Sequence, residues 1–247
     1  TSATGTDAVV VNDYVNVAPT APTIHIDPDP ARSDQALTAI IDAASYDLDG
    51  DTVTYAYAWY RDGVASGVTS ATLAASYTSK GQAWSVIVTP NDGRQNGSTA
   101  TDSIVIGNTP PTLSSVLITP TTAYTNDTLT ATPSGFSDDD GDAASYTYQW
   151  YLGGVAISGA TGSTLAGTYF SRGNVITVAV VPRDGVDSGS SVTSSSLTIS
   201  NSTPSTPSVD VTPNLPENSS TLSCGISAAS SDADSDSLSY VYRWTFN

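Results

Sequence analysis

Asp47-Leu48-Asp49-Gly50-Asp51-Thr52-Val53-Thr54-Tyr55-Ala56-Tyr57-Ala58-Trp59 is the stretch whose reading decides the fold. From Val53 onward a large side chain falls on every second residue, and a period of two puts Val53, Tyr55, Tyr57 and Trp59 on one face of a β-strand. Thr54, Ala56 and Ala58 then occupy the opposite face. The aspartates and the glycine ahead of the strand are turn formers. The same pattern returns at Asp138-Asp139-Asp140-Gly141-Asp142 with Tyr146, Tyr148 and Trp150, and again at Asp232-Ala233-Asp234-Ser235-Asp236 with Tyr240, Tyr242 and Trp244. Linker asparagines Asn16, Asn108 and Asn201 keep the same period of about ninety residues, enough for a small independent domain, whereas helical solenoid units run to only about 20 to 50 residues. The chain reads as a string of beads.

Working outward from that strand, Thr23-Ile24-His25-Ile26-Asp27-Pro28 alternates and closes on proline, as an edge-type first strand does. Leu37 to Ile41 follows as a second strand. After the Asp62-Gly63 turn come a weak strand at Thr72-Leu73, a strong one at Trp84-Ser85-Val86-Ile87-Val88, a hairpin signal at Pro90-Asn91-Asp92-Gly93 and a last strand from Ser103 to Ile106. The next copy runs from Leu117-Ile118-Thr119-Pro120 through Val178-Ala179-Val180 and Arg183-Asp184-Gly185 to Leu197-Thr198-Ile199. About seven short strands with frequent turn signals predict an antiparallel sandwich. The aromatic stripe has a polar opposite face, Ser145, Thr147 and Gln149 in the second copy, so it is assigned to the core and not to a sugar-stacking platform. Trp84, with Ile176 as its counterpart, is assigned to the core as well.

The tryptophan on the third strand, the turns Trp59-Tyr60-Arg61-Asp62-Gly63 and Trp150-Tyr151-Leu152-Gly153-Gly154, and the late Val-x-Pro-x-Asp-Gly hairpin together resemble the immunoglobulin-like repeats, also of the PKD and cadherin-like kind, of large prokaryotic extracellular surface proteins. The resemblance covers essentially the whole chain. It implies an all-β fold of tandem immunoglobulin-like antiparallel β-sandwich domains arranged as an extended rod. The expected divisions are 1–15 as the final strand of a preceding domain, 16–107 and 108–200 as whole domains, and 201–247 as the first half of a further one. Thr6-Asp7-Ala8-Val9-Val10-Val11 matches Thr101-Asp102-Ser103-Ile104-Val105-Ile106, hence the expectation of an excerpt from a longer array. The resemblance also implies that Cys224, on a second strand, pairs with a cysteine on a sixth strand beyond Asn247; the other reading is a buried thiol. Ala39 and Ala131 stand at its position in the other copies, opposite Val86 and Val178.

Acidic residues number 24 against 7 basic ones, a formal charge of −17, and all but Glu217 are aspartates. Such a charge repels nucleic acid and anionic membrane surfaces. No apolar run reaches membrane-spanning length. The lone histidine, His25, has no nucleophile pattern around it, and carboxylates that recur three times point to a repeated structural task and not to hydrolysis. Asn96, Asn126, Asn201 and Asn218 each open an Asn-x-Ser/Thr sequence; several are expected by chance in a chain so rich in serine and threonine, and their glycosylation depends on the organism.

The aspartate loops are the only candidates for a site. Asp47, Asp49 and Asp51 have the spacing of the first three ligands of a calcium hand, as do Asp138, Asp140 and Asp142, and Asp232, Asp234 and Asp236; the twelfth position, Ala58, Gln149 or Arg243, rules out an EF-hand. In a sandwich of this kind the loop after the sixth strand lies at the same end as the loop after the second, which adds Asp92 and Asp184, with Asn16 or Asn108 arriving from the linker. That set offers hard oxygens suited to Ca²⁺, and the competing reading is a plain tight turn. The functional expectation is a non-catalytic structural segment of an extracellular filament, stalk or giant cell-surface adhesin, whose partners are neighbouring repeats of the same protein and, through self-association, fibres. The linkers bearing Pro19, Pro110-Pro111, Pro204 and Pro207 favour stiffness. The alternative is an adhesion module that binds a glycan or a protein through exposed loops.

Overall fold

The structure is a computed structural model that describes residues 15–245. The strand expected at Thr6 to Val11 lies outside the described residues. The chain divides between Thr109 and Pro110 into two compact units.

In the first unit the six strands placed from the sequence appear in order, with a short β4 added after the Asp62-Gly63 turn: β1 (Thr23–Asp27), β2 (Leu37–Ala43), β3 (Thr54–Arg61), β4 (Val64–Ala65), β5 (Thr72–Leu73), β6 (Ala83–Asn91) and β7 (Ala100–Val105). They form two sheets, β1-β2-β5 and β4-β3-β6-β7, paired antiparallel throughout. Strand β3 lies against β6 with Tyr57 opposite Val88 and Trp59 opposite Val86. Ile26, Leu37, Ala39 and Leu73 from one sheet and Trp59, Trp84, Val86 and Val88 from the other close a single core. After β1 the chain crosses to the second sheet's edge, where Arg32 bridges Gly107 in parallel.

The second unit repeats the plan with β8 (Ser115–Thr119), β9 (Ala123–Tyr124), β10 (Leu129–Ser134), β11 (Ser145–Leu152), β12 (Val155–Ala156), β13 (Thr164–Leu165), β14 (Val175–Arg183), β15 (Val192–Thr193) and β16 (Leu197–Ser200). Its sheets are β13-β10-β8 and β12-β11-β14-β16-β9, with β15 also on β14. The sheet-switching segment is here a true strand, β9, parallel to β16. Trp150 and Ile176 are fully buried in this core, as the alternation predicts.

The third copy contributes β17 (Ser208–Thr212) and β18 (Ser223–Ala228), paired antiparallel with Cys224 opposite Val211. Ala39 opposite Ile26 and Ala131 opposite Ile118 hold the equivalent places, which confirms the alignment of Cys224 with the second strand. Its thiol is half-buried and unbonded. The expected third strand is not formed over Tyr240 to Trp244, and Trp244 is 55 % exposed. Among the described residues this copy has no sixth strand to pair with that segment, and β-strands need a partner ladder and a face to bury.

Candidate functional site

Each aspartate loop is built on its first carboxylate. Asp47 Oδ1 accepts the backbone N–H groups of Asp49 (2.9 Å) and Asp51 (3.2 Å), folding the chain into a turn that needs a left-handed residue between them. Gly50 (φ 78°) supplies it without steric cost. Asp138 Oδ1 holds Asp140 and Asp142 at 3.0 Å each in the second copy, and Asp232 Oδ1 holds Asp234 (2.8 Å) and Asp236 (3.3 Å) in the third.

The other oxygen of each of these aspartates is left inside. Oδ2 of Asp47, Asp138 and Asp232 is buried with no hydrogen-bond partner, and so are Asp51 Oδ2 and the side-chain carbonyl of Asn16. Asp47 as a whole is 6 % exposed. A carboxylate oxygen withdrawn from water without a donor or a cation is costly, and here the arrangement recurs in every copy.

The loop after the sixth strand comes to the same place, as the sandwich topology predicts. Asp92 Oδ1 accepts N–H groups from Arg94 and Gln95, both at 2.7 Å, and its Oδ2 accepts the Asn16 side-chain amide at 2.8 Å. The Gln95 amide first, and then Asn16, hold the Asp92 carboxyl below the usual carboxylate range. In the second copy Asp184 binds its own loop through Val186 (2.7 Å) and Asp187 (2.6 Å), and Asp138, Asp142 and Asp184 bring carboxylate oxygens within 4.8 Å of one another. Asp232, Asp234 and Asp236 gather their oxygens as closely.

The middle aspartate does a different job. Asp49 Oδ2 accepts the linker amide of Val17 at 2.7 Å, and Asp234 Oδ2 accepts that of Ser202 at 2.5 Å while its Oδ1 takes the Thr125 hydroxyl. Thr125 first, with Ser202, lowers the Asp234 carboxyl from its ordinary value. One residue ahead of the loop, the linker is stitched down a second time. Thr20 N donates to Tyr46 O (2.9 Å), Thr112 N to Ser137 O (2.8 Å) and Ser205 N to Ser231 O (2.8 Å), the same bond in all three copies.

Two contributors were not singled out from the sequence. Lys80 Nζ donates to Asn108 Oδ1 at 3.0 Å, and the aligned Arg172 donates to Asn201 Oδ1 and, at 2.5 Å, to Asp236 Oδ2. Their signal was present in the aligned pairs Ser79-Lys80-Gly81 and Ser171-Arg172-Gly173, in a chain with so few cations. The second is the tyrosine hydroxyl: Tyr55 accepts the Ser45 amide at 2.7 Å and Tyr240 accepts the Ser230 amide at 2.9 Å, fixing the backbone that enters the aspartate loop. In the second copy Phe136 replaces that serine, and its ring meets Tyr146 edge-on with centroids 6.1 Å apart.

Elsewhere the described residues assemble no acid–base pair around a nucleophile. The one histidine, His25, is on the surface and bonds Asp42 through Nδ1 at 2.8 Å. Among the described residues no helix is long and apolar enough to cross a membrane.

No family model and no curated protein matches the chain. Similar solved structures include a two-domain fibronectin type III segment from chicken tenascin, with 13 % identity and a TM-score of 0.37 over 73 % of this chain and 98 % of that one. They also include the FN1–FN3 domains of chicken CNTN1, with 12 % identity and a TM-score of 0.31 over 75 % of this chain and 68 % of that one. The two sheets of each unit, three strands with four in the first and three with six in the second, and the buried Trp59 and Trp150 define an all-β chain of immunoglobulin-like sandwich repeats.

Proposed function

We propose that this chain is a non-catalytic structural segment of an extracellular filament, stalk or large cell-surface adhesin, in which sandwich repeats supply length. One observation carries the reading: in all three copies the linker is bonded to the aspartate loop of the domain it enters, through Thr20 and Tyr46, Thr112 and Ser137, and Ser205 and Ser231. A linker held by its own backbone and lengthened by prolines is a joint with few degrees of freedom. A flexible tether would leave those amides to water. The dense negative charge suits a solvated protein that does not adhere to its own copies non-specifically.

Small-angle scattering of the intact chain tests this. A spacer made of beads about 35 to 45 Å long gives a maximum dimension of about 80 Å or more, unchanged by moderate dilution. A compact particle, or a distribution as broad as that of a freely jointed pair, would refute it. Capture of a soluble glycan or protein that is lost on exchanging loop residues, with the scattering curve unaltered, would favour the adhesion-module alternative.

A further inference from the structure

We propose that the open edge of β8 in the second sandwich is a self-pairing surface, at which β8 of a second copy of this chain adds antiparallel about a two-fold axis at Leu117. This goes beyond the spacer reading, which concerns the length of one chain, and names the surface by which two such chains meet side by side.

The two sandwiches treat this edge differently. In the first, Ile26 turns its N–H out of the β1–β2 ladder and Asp102 Oδ2 on β7 accepts it at 2.7 Å. A side chain that closes an edge amide, and charges such as His25 and Asp27 along the strand, keep a sheet edge from pairing with another chain. The β1–β2 register also slips between Thr23 and Ile24, whereas β8 runs unbroken against β10 from Ser115 to Thr119. Ile118 holds the place of Ile26. Its partner Ala131 sends its own N–H to Ser163 O, away from β8, so the backbone groups of this pair face outward and the Ile118 amide points to the free edge. Among the described residues no side chain accepts it. Thr101 and Ile104 of β7 match Thr193 and Leu197 in the ladders, and between them Asp102-Ser103 becomes Ser194-Ser195-Ser196. The extra residue splits the last strand into β15 and β16. Beside β8 it leaves a cleft of about 190 Å³ whose walls include Val116, Ile118, Thr121, Ser195 and Leu197.

Charge selects the occupant. The sequence has no charged residue from Thr109 to Asn126 or from Ser188 to Val209, in a chain of formal charge −17. These stretches carry β8, β15 and β16, so this edge is a place where two copies can approach without opposing carboxylates. The strand is also self-complementary. Val116, two residues before Ile118, turns its backbone groups out the same way. Rotation about Leu117 sets Val116 opposite Ile118 of the second copy and Ile118 opposite Val116 of that copy, and each of these pairs exchanges two hydrogen bonds. Leu117, 54 % exposed, then meets its own counterpart and both side chains leave water. One pair of five-residue strands is a small interface, so the dissociation constant is expected on the order of 0.1 to 1 mM.

The test is equilibrium sedimentation of the intact chain and of Leu117→Lys, from about 10 µM to about 1 mM protein. The parent is expected to be monomeric at the low end and about half paired or more at the high end. Added salt is expected to raise the paired fraction, because it screens the repulsion between two acidic chains; association through ion pairs would respond in the opposite sense. Leu117→Lys sets two like charges opposite each other and is expected to weaken pairing roughly tenfold or more. The register is read by oxidation of Leu117→Cys in a Cys224→Ser background. Across the two-fold axis residue 117 faces itself as a pair without hydrogen bonds, with Cα atoms about 4.5 Å apart and within disulfide reach. Ser115→Cys would stand about 14 Å from its own counterpart and is expected not to cross-link. Monomers at every concentration overturn the proposal, as does pairing undiminished in Leu117→Lys or cross-linking of Ser115→Cys as fast as that of Leu117→Cys. Association that gives no Leu117→Cys cross-link and is lost in Val9→Lys would seat the Thr6 to Val11 segment of another copy at this edge, and would equally overturn self-pairing. The length of the monomer, measured by scattering at the dilute end, is untouched by any of these results, so the spacer reading stands or falls separately.

Discussion

Gly189 lies so close to Pro111 that a Cβ on the glycine would sit 1.8 Å from the proline carbonyl oxygen, and Gly97 meets Pro19 in the same way at 2.1 Å. Neither contact is with a flexible side-chain end; both are with the backbone of a linker whose proline is buried. The loop after the sixth strand and the entering linker are therefore in contact in each sandwich, and only glycine allows it.

Gly97→Ala and Gly189→Ala are accordingly expected to destabilise their sandwiches by about 1 to 3 kcal/mol through overpacking. Urea unfolding of each variant measures this. A change within about 0.5 kcal/mol, the range of an ordinary surface substitution, would mean that the linker moves away at little cost.

The two buried tryptophans make a graded prediction. Trp59 is 1 % exposed and Trp150 0 %, and each donates its indole N–H to a backbone carbonyl, Ser70 O at 3.0 Å and Gly162 O at 2.9 Å. Trp150→Ala is expected to cost about 3 to 5 kcal/mol from lost burial and the cavity left behind. Trp150→Phe keeps most of the ring and loses the hydrogen bond, which leaves the carbonyl of Gly162 without that donor, so an intermediate loss is expected on equilibrium unfolding. Equal losses for the two variants would show that the N–H contact dominates the packing.

How much of this was legible in the sequence follows from which interactions have a period. The alternation Tyr55, Tyr57, Trp59 has a period of two and gives the strand, its buried face and the partner ladder on β6. The aspartate loop could be located for the same reason, since turn residues are local. Division of labour inside that loop was not legible: Asp47, Asp49 and Asp51 look equivalent in spacing, yet Asp47 makes the turn, Asp49 anchors Val17 and Asp51 keeps an unpartnered oxygen. Those roles depend on a linker some thirty residues away in sequence, and no local pattern records such a contact. The third copy shows the converse, because Trp244 has the pattern of Trp59 and none of its burial. A strand needs neighbours as well as an alternation.

The tyrosine hydroxyl belongs to the same hidden class. Tyr55 reads as core from its place in the stripe, but its OH accepts the Ser45 amide at 2.7 Å, two residues before Asp47. Tyr55→Phe is expected to cost about 1 to 2 kcal/mol, the penalty for stranding a partly buried amide. Amide hydrogen exchange at Ser45 should accelerate more than exchange at Trp59. The second sandwich is an internal control, because Phe136 replaces the serine there and Tyr146 packs against its ring; Tyr146→Phe is expected to be the milder change. A larger loss for Tyr146→Phe than for Tyr55→Phe would contradict this assignment.

His25 supplies a pH dependence whose sign can be worked out. Its Nδ1 lies 2.8 Å from Asp42 Oδ1 across the β1–β2 pair, and that hydrogen bond is the chief reason its pKa is raised above the ordinary 6.5. The folded state thus holds the proton more tightly than the unfolded chain does. By linkage the stabilisation is fully present below the unfolded pKa of about 6.5 and is lost as the pH rises through the folded value. Both side chains are close to half exposed, so water and salt screen the pair and the change is expected to be small. The Tm of the first sandwich should fall slightly between pH 6 and pH 8.5, and His25→Gln should flatten that slope without altering the core. Nuclear magnetic resonance titration of the imidazole is the direct measurement. A midpoint at or below about 6.5 in the folded protein would show that Asp42 does not hold the protonated ring in solution, and the predicted slope would then have no source.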